Sequence, residues 1–125
     1  MNMTEKDILI ADDSATVRNR LIGILGGGGF RVDIATTGLE TLKALKSKKV
    51  DLLLLDIEMP QMNGFEVLRM IKNDVDTKNL RILCMTSVHT RMEDIQKLKE
   101  LGATGYVQKD SSPEDLLFRV KQVLT

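Results

Sequence analysis

Asp12-Asp13, Asp56 and Lys109 each follow a short apolar run: Ile8-Leu9-Ile10-Ala11, Leu52-Leu53-Leu54-Leu55 and Gly105-Tyr106-Val107-Gln108. If those runs are neighbouring parallel strands, their ends bring three carboxylates and one ammonium to a single crevice. Carboxylates that close need a cation to stay ionised together. The pattern predicts an acidic Mg²⁺ pocket around an aspartate that carries a phosphoryl group. Thr86 and Ser87 end a further apolar run at 81–85. With Lys109 they supply a hydroxyl and an ammonium, which is what the oxygens of an acyl phosphate require. Each residue also has a plainer role when taken alone. Asp12, Asp13 and Ser14 suit a helix N-cap, a strand-end Asp is commonly structural, and a hydroxyl or lysine is commonly just solvated. Capping does not account for a third acid at the matching position of another strand.

The elements that must position these groups are legible as alternating patterns. Strand-like runs start near Ile8, Val32, Leu52, Ile82 and Gly105. Between and after them lie helical stripes: Val17, Leu21, Ile24 and Leu25; Leu39, Leu42 and Leu45; Val67, Leu68 and Ile71; Met92, Ile95, Leu98 and Leu101; Leu116, Leu117, Val120 and Leu124. Runs that are apolar throughout predict strands covered on both faces. Five βα repeats of this kind predict an α/β doubly wound (βα)5 sandwich with a five-stranded parallel sheet. Val32-Asp33-Ile34-Ala35, short and interrupted by a charge, predicts an edge strand. Open sheets of this class bind ligands at the carboxyl ends of their strands, where all the residues above fall.

Gly26-Gly27-Gly28-Gly29 follows a helix and precedes a strand, the reverse of a phosphate-cradling loop. It predicts a helix C-cap and turn. Pro60 predicts a turn after Asp56, with Asn63 and Gly64 opening the next helix. The 125 residues predict one domain, 1–125. Hydrophobic content of 42%, charged content of 29% and zero net charge are ordinary for a globular protein. They imply no global field for nucleic acid or an anionic membrane. No apolar stretch approaches the ~20 residues of a membrane span, and residues 1–6 lack a signal-peptide core. Cys84, the single cysteine, lies in an apolar run. It reads as a small buried hydrophobe in a chain of the reducing cytoplasm. His89, the single histidine, reads as a surface residue.

Taken in order, five marks are specific: Asp12-Asp13; Asp56 with Met59-Pro60 and Gly64; Thr86; Tyr106; and Lys109. The chain resembles, end to end, the receiver domain of two-component response regulators, close to the stand-alone chemotaxis type. The resemblance implies a flavodoxin-like/CheY-like fold with strand order 2-1-3-4-5, an order for which that family is itself the standing example. It implies that Asp56 takes a phosphoryl group from a phosphohistidine on a histidine kinase or histidine phosphotransfer protein. Asp13, Asp56 and the Glu58 backbone carbonyl would ligate Mg²⁺, or Mn²⁺ in its place, with Asp12 acting through water. Lys109 would pair with Asp56 and then with the phosphate. Thr86 and Tyr106 would form the switch, Thr86 moving inward and Tyr106 rotating from solvent into the space it leaves. The protein target would dock on the face of the fourth helix, fifth strand and fifth helix. Glu58 and Val88 would tune the phosphate's lifetime.

The same resemblance implies a signalling phosphoacceptor rather than an enzyme, acting as a monomer or a phosphorylation-dependent dimer. From the zero net charge and the lack of a membrane-length apolar stretch, no direct contact with nucleic acid or membrane is expected. One departure is Asp110, which stands where the family usually has proline after the lysine. A trans Lys109–Asp110 peptide is therefore expected, with an added negative charge near the phosphate. The Met1-Asn2-Met3-Thr4 start points to a stand-alone protein; the alternative is a receiver excised from a DNA-binding regulator or hybrid kinase. An aspartyl-nucleophile phosphatase fits less well. Such enzymes usually place an Asp-x-Asp pair after the first strand, whereas here Glu58 takes the second position after the third. A nucleotide- or flavin-binding module of similar fold would have its pyrophosphate repelled by the acidic first turn.

Overall fold

Runs of apolar residues with no polar alternation form the centre of a parallel sheet covered on both faces. The computed structural model describes residues 6–59 and 61–125; the Met1-Asn2-Met3-Thr4 start and Pro60, at which a turn is expected, lie outside them. Strands and helices alternate: β1 (Asp7–Ala11), α1 (Ala15–Gly27), β2 (Arg31–Ala35), α2 (Gly38–Ser47), β3 (Leu52–Asp56), α3 (Gly64–Lys72), β4 (Arg81–Thr86), α4 (Met92–Glu100), β5 (Gly105–Gln108) and α5 (Pro113–Leu124). The strands pair in parallel in the order β2-β1-β3-β4-β5, as the resemblance implied. The described helices include none long and apolar enough to cross a membrane.

Alternate residues of each strand serve opposite cores. Ile8, Ile10, Leu52, Leu54, Leu83 and Met85 pack with Leu21 and Leu25 of α1 and Leu116, Val120 and Leu124 of α5. Leu9, Leu53, Leu55, Ile82 and Cys84 pack with Val67, Leu68 and Ile71 of α3 and Leu98 of α4, with Leu42 and Leu45 of α2 at the margin. Cys84 is fully buried, and loss of hydration pushes its thiol up to about 12, so it stays a neutral hydrophobe. β2 is largely exposed on its outer edge, with only Ala35 buried.

Side-chain caps set where four helices start. Ser14, Thr37, Asn63 and Ser112 accept the N–H groups of Val17, Glu40, Glu66 and Asp115. Two stripe members depart from the expected pattern. Leu39 is 58% exposed and Met92 is 75% exposed. In α2 the buried positions are Gly38 and Thr41, which puts Leu39 about 100° round from the packed line. Met92 opens α4, well ahead of Leu98, the buried position of that helix.

The glycine run closes α1 as expected. The N–H groups of Gly28 and Phe30 return to carbonyls of Ile24 and Leu25, and Gly29 takes a positive φ of 92°. Only that last residue needs a left-handed backbone; a side chain at Gly27 would meet open space. Gly27→Ala is therefore expected to raise the unfolding free energy by about 0.5–1 kcal/mol. Gly29→Ala should lower it by about 1 kcal/mol or more. Paired urea melts of the two variants check the contrast in sign.

Candidate functional site

Strand register builds the site. Ala11 of β1 lies opposite Leu55 of β3, so the next residues, Asp12 and Asp56, leave the sheet side by side. Asp56 in turn faces Met85 of β4, and Thr86 faces Gln108 of β5. Lys109 follows one position later, its N–H donating to the Thr86 carbonyl at 2.8 Å. The gap between β1 and β3 is where strand order reverses, the position at which open α/β sheets present a crevice.

Asp12 and Asp56 are both fully buried. Oδ1 of Asp12 accepts the Ser14 N–H at 2.8 Å, and Oδ1 of Asp56 accepts the Glu58 N–H at 2.9 Å. The Lys109 ammonium lies 3.0 Å from Asp56 Oδ1 and 3.5 Å from Asp12 Oδ2. The Oδ2 atoms of both acids are buried without a hydrogen-bond partner; at 3.5 Å, Lys109 gives Asp12 Oδ2 an ionic neighbour only. Asp13 stands exposed at the rim, and carboxylate oxygens of Asp12, Asp13 and Asp56 lie within 4.8 Å of one another.

Burial drives the Asp12 carboxyl above its ordinary value; the charge of Asp56 adds to this, while the Ser14 N–H and Lys109 oppose it. Burial alone would favour a neutral Lys109 amine. The hydrogen bond and charge of Asp56, joined by Asp12, outweigh it and raise the ammonium's pKa. An excess of buried negative charge with two orphaned hard oxygens fits a divalent cation such as Mg²⁺ or Mn²⁺. The free Asp56 oxygen fits a nucleophile, with an ammonium beside it to receive the charge that nucleophile would bind.

The remaining expected residues lie on β4 and β5 and in the loops that follow β3 and β4. Thr86 is buried, its hydroxyl donating to the Val107 carbonyl at 3.4 Å. Tyr106 is half-buried against the apolar cluster of α3 and α4, so its ring already sits partly inside rather than wholly in solvent. With Gln108, Asp115, Phe118 and Arg119 it lines an open groove of about 430 Å³ on the β5–α5 side. Glu58 offers its backbone to Asp56 while its side chain is exposed; Val88 and His89 are surface residues. No peptide bond among the described residues is cis, consistent with the trans Lys109–Asp110 expected.

Sequence reasoning missed several supports. Arg18 of α1 donates to the Asp12 carbonyl at 2.8 Å. A side chain at Gly64 would come within 2.5 Å of Ile57 Cα and 2.6 Å of the Asp56 carbonyl, so the start of α3 presses directly on the acid's backbone. Gln61, in the intervening loop, has a φ of 68°. Only Gly64 was visible beforehand, and as a helix opener rather than a contact.

Comparison with known proteins agrees with this fold. The sequence profile of the response regulator receiver domain matches residues 8–121. The chain is 35% identical over 117 residues to the response regulator MprA of Mycobacterium ulcerans, covering 94% of this chain and 49% of that protein. It is 31% identical over 121 residues to the DNA-binding response regulator MtrA of Mycobacterium bovis, covering 97% and 51%. The chain thus spans about half the length of these curated relatives. Among solved structures it is similar to the Vibrio cholerae chemotaxis protein CheY4, at 32% identity and a TM-score of 0.89, covering 95% of this chain and 98% of that one.

The raised Asp12 carboxyl has a stability signature in metal-free protein. Because the fold favours its protonated form, its contribution is fully present below the ordinary carboxylate value of 3.8 and is lost as pH rises through the raised one. With a chelator present at neutral pH, Asp12→Asn is expected to raise the melting temperature by a few degrees. The difference should shrink on acidification through the carboxylate range. Mg²⁺ should stabilise the parent protein by ~1.4 kcal/mol per tenfold excess over its dissociation constant. Asp13→Asn and Asp56→Asn should lose most of that gain in the same thermal melts.

Proposed function

Since the chain belongs to the response regulator receiver domain family, we propose that Asp56 is its phosphoacceptor, charged by a phosphohistidine on a partner kinase or phosphotransfer protein. Receiver domains are phosphoacceptors in two-component signalling rather than enzymes with a separate substrate. The observation that carries the assignment is the state of Asp56. It is a buried carboxylate with one oxygen held by Lys109 and the Glu58 N–H and the other without a partner.

Phosphoryl transfer asks a protein mainly for positioning and charge neutralisation. The Asp56 oxygen forms the new bond to phosphorus as the phosphorus–nitrogen bond of the donor breaks, its electron pair leaving on the imidazole. Lys109, raised in pKa and already at 3.0 Å, carries its proton throughout and follows the charge onto the phosphate. Asp13, Asp56 and the Glu58 carbonyl would hold Mg²⁺, with Asp12 bound through water. When bound, the cation neutralises charge on the transferred group. Glu58 and Val88, both exposed, would affect access of the water that later hydrolyses the acyl phosphate.

The output in this reading is conformational. The Thr86 hydroxyl now spends its hydrogen bond on a strand carbonyl at a long 3.4 Å. A charged phosphate is a stronger acceptor and would draw it away from β5. Tyr106, half-buried on that strand, would turn further inward. Moving a two-state balance from 1:99 to 99:1 takes ~5.5 kcal/mol. Charge-assisted hydrogen bonds and burial of an aromatic ring are terms of that order. The surface reshaped would include the β5–α5 groove of Tyr106, Phe118 and Arg119, and a protein target would dock on the α4–β5–α5 face.

Likeness to the Vibrio cholerae chemotaxis protein CheY4 fits one reading, a receiver that acts through a separate protein target. The names of the DNA-binding relatives support a second reading, a receiver that governs an attached DNA-binding segment. In either case this domain's own zero net charge favours protein over nucleic acid as its direct partner.

Incubation with acetyl phosphate and Mg²⁺ is expected to add one phosphoryl group by intact mass. Asp56→Asn or a chelator should abolish the adduct, and Lys109→Ala should slow its formation by about 100-fold. An Asp56→Asn variant that is phosphorylated as fast as the parent would sink the assignment.

A further inference from the structure

Lys109 reaches Asp56 from the loop between β5 and α5, and that loop is held in an unexpected way. Its inner side is closed locally: the Ser111 N–H and Oγ both donate to the Gln108 carbonyl, at 3.1 and 2.7 Å. The Lys109 N–H is tied to Thr86. The carbonyls of Lys109 and Ser111 are both taken by one side chain from a distant part of the chain, Arg20 of α1. Its Nη1 donates to the Lys109 carbonyl at 3.1 Å and its Nη2 to the Ser111 carbonyl. A guanidinium is suited to this bridge, because its planar fork presents two donors in fixed relation. Asp110 lies between the two carbonyls and is exposed, and no proline ring restricts the backbone there.

We propose that Arg20 is a positioning residue for Lys109. It clamps the main chain at the residue whose ammonium lies 3.0 Å from Asp56, a role that rests on the phosphoacceptor reading above. The side chain of Lys109 is long and flexible, so the placement of its ammonium depends on where its backbone is anchored. Arg20 fixes that anchor to α1, the same helix whose Arg18 fixes the Asp12 carbonyl. The nucleophile's neighbour and the charge that neutralises it are thereby referenced to one rigid body. Arg20 is itself exposed, so its removal should act on placement more than on global stability.

The test compares Arg20→Ala, Arg20→Lys and the parent for three quantities: rate of Asp56 phosphorylation by acetyl phosphate, Mg²⁺ affinity by calorimetry, and melting temperature. Arg20→Ala is expected to slow phosphorylation about 5-fold, the scale of one ordinary hydrogen bond. Arg20→Lys should recover part of the rate, since an ammonium lacks the fork that spans two carbonyls. Mg²⁺ affinity should not weaken, because its carboxylates are untouched and the cation competing with it, Lys109, is loosened. An unchanged rate in Arg20→Ala would overturn the proposal. So would a rate loss matched by an equal loss of Mg²⁺ affinity, which would mark collapse of the pocket. If the parent protein accepts no phosphoryl group, the phosphoacceptor reading fails and this proposal with it. A parent that is phosphorylated normally beside an unaffected Arg20→Ala would sink the Arg20 role alone.

Discussion

Asp12 and Asp56 repel each other across the gap between β1 and β3, and the ammonium of Lys109, at 3.5 and 3.0 Å, offsets that repulsion from one side. Two like charges ~4 Å apart repel by ~4 kcal/mol at a protein-like dielectric. That is close to the ~5.5 kcal/mol needed to throw a two-state switch. The surrounding structure serves this imbalance. The Ser14 and Glu58 amides satisfy one oxygen of each acid, while the other oxygens are left without a hydrogen-bond partner.

The same constraint explains why the two cores are built as they are. β3 is buried along its full length and its neighbours β1 and β4 nearly so. The strand ends can be crowded with polar groups because the strand bodies are not. Packing on both faces also fixes register, since a one-residue slip would turn every side chain to the opposite core. It would carry Asp56 away from Asp12 at the same time. The close seat of Gly64 against the Asp56 carbonyl adds a stop on the third side.

Much of this could be read in the residues. Asp12, Asp56 and Lys109 stand out because charged side chains at the ends of unbroken apolar runs are conspicuous and because strand pairing aligns those ends. Thr86 could be placed by the same logic. The helical stripes were legible in their centres and not at their tips: Leu39 lies off the packed line of α2 and Met92 opens α4 ahead of its buried position, and periodicity alone does not fix where a stripe meets the core. Arg18 and Arg20 could not be found at all. Their bonds go to main-chain carbonyls, Arg20's some 90 positions away, and a carbonyl carries no residue identity. Tyr106 could be placed on β5, but its half-buried starting position depends on the packing of a neighbouring cluster.

The pairing of Ile8 with Leu52 has a kinetic side. β1 and β3 are separated in the chain by α1, β2 and α2, so the contact that creates the acidic pair closes a long loop. Local helices can form early, whereas this junction must wait for a costly search. The repulsion between Asp12 and Asp56 is consequently imposed at a non-local, rate-sensitive step of folding. Chemistry that suits the finished domain is thus in tension with the route by which the domain is made.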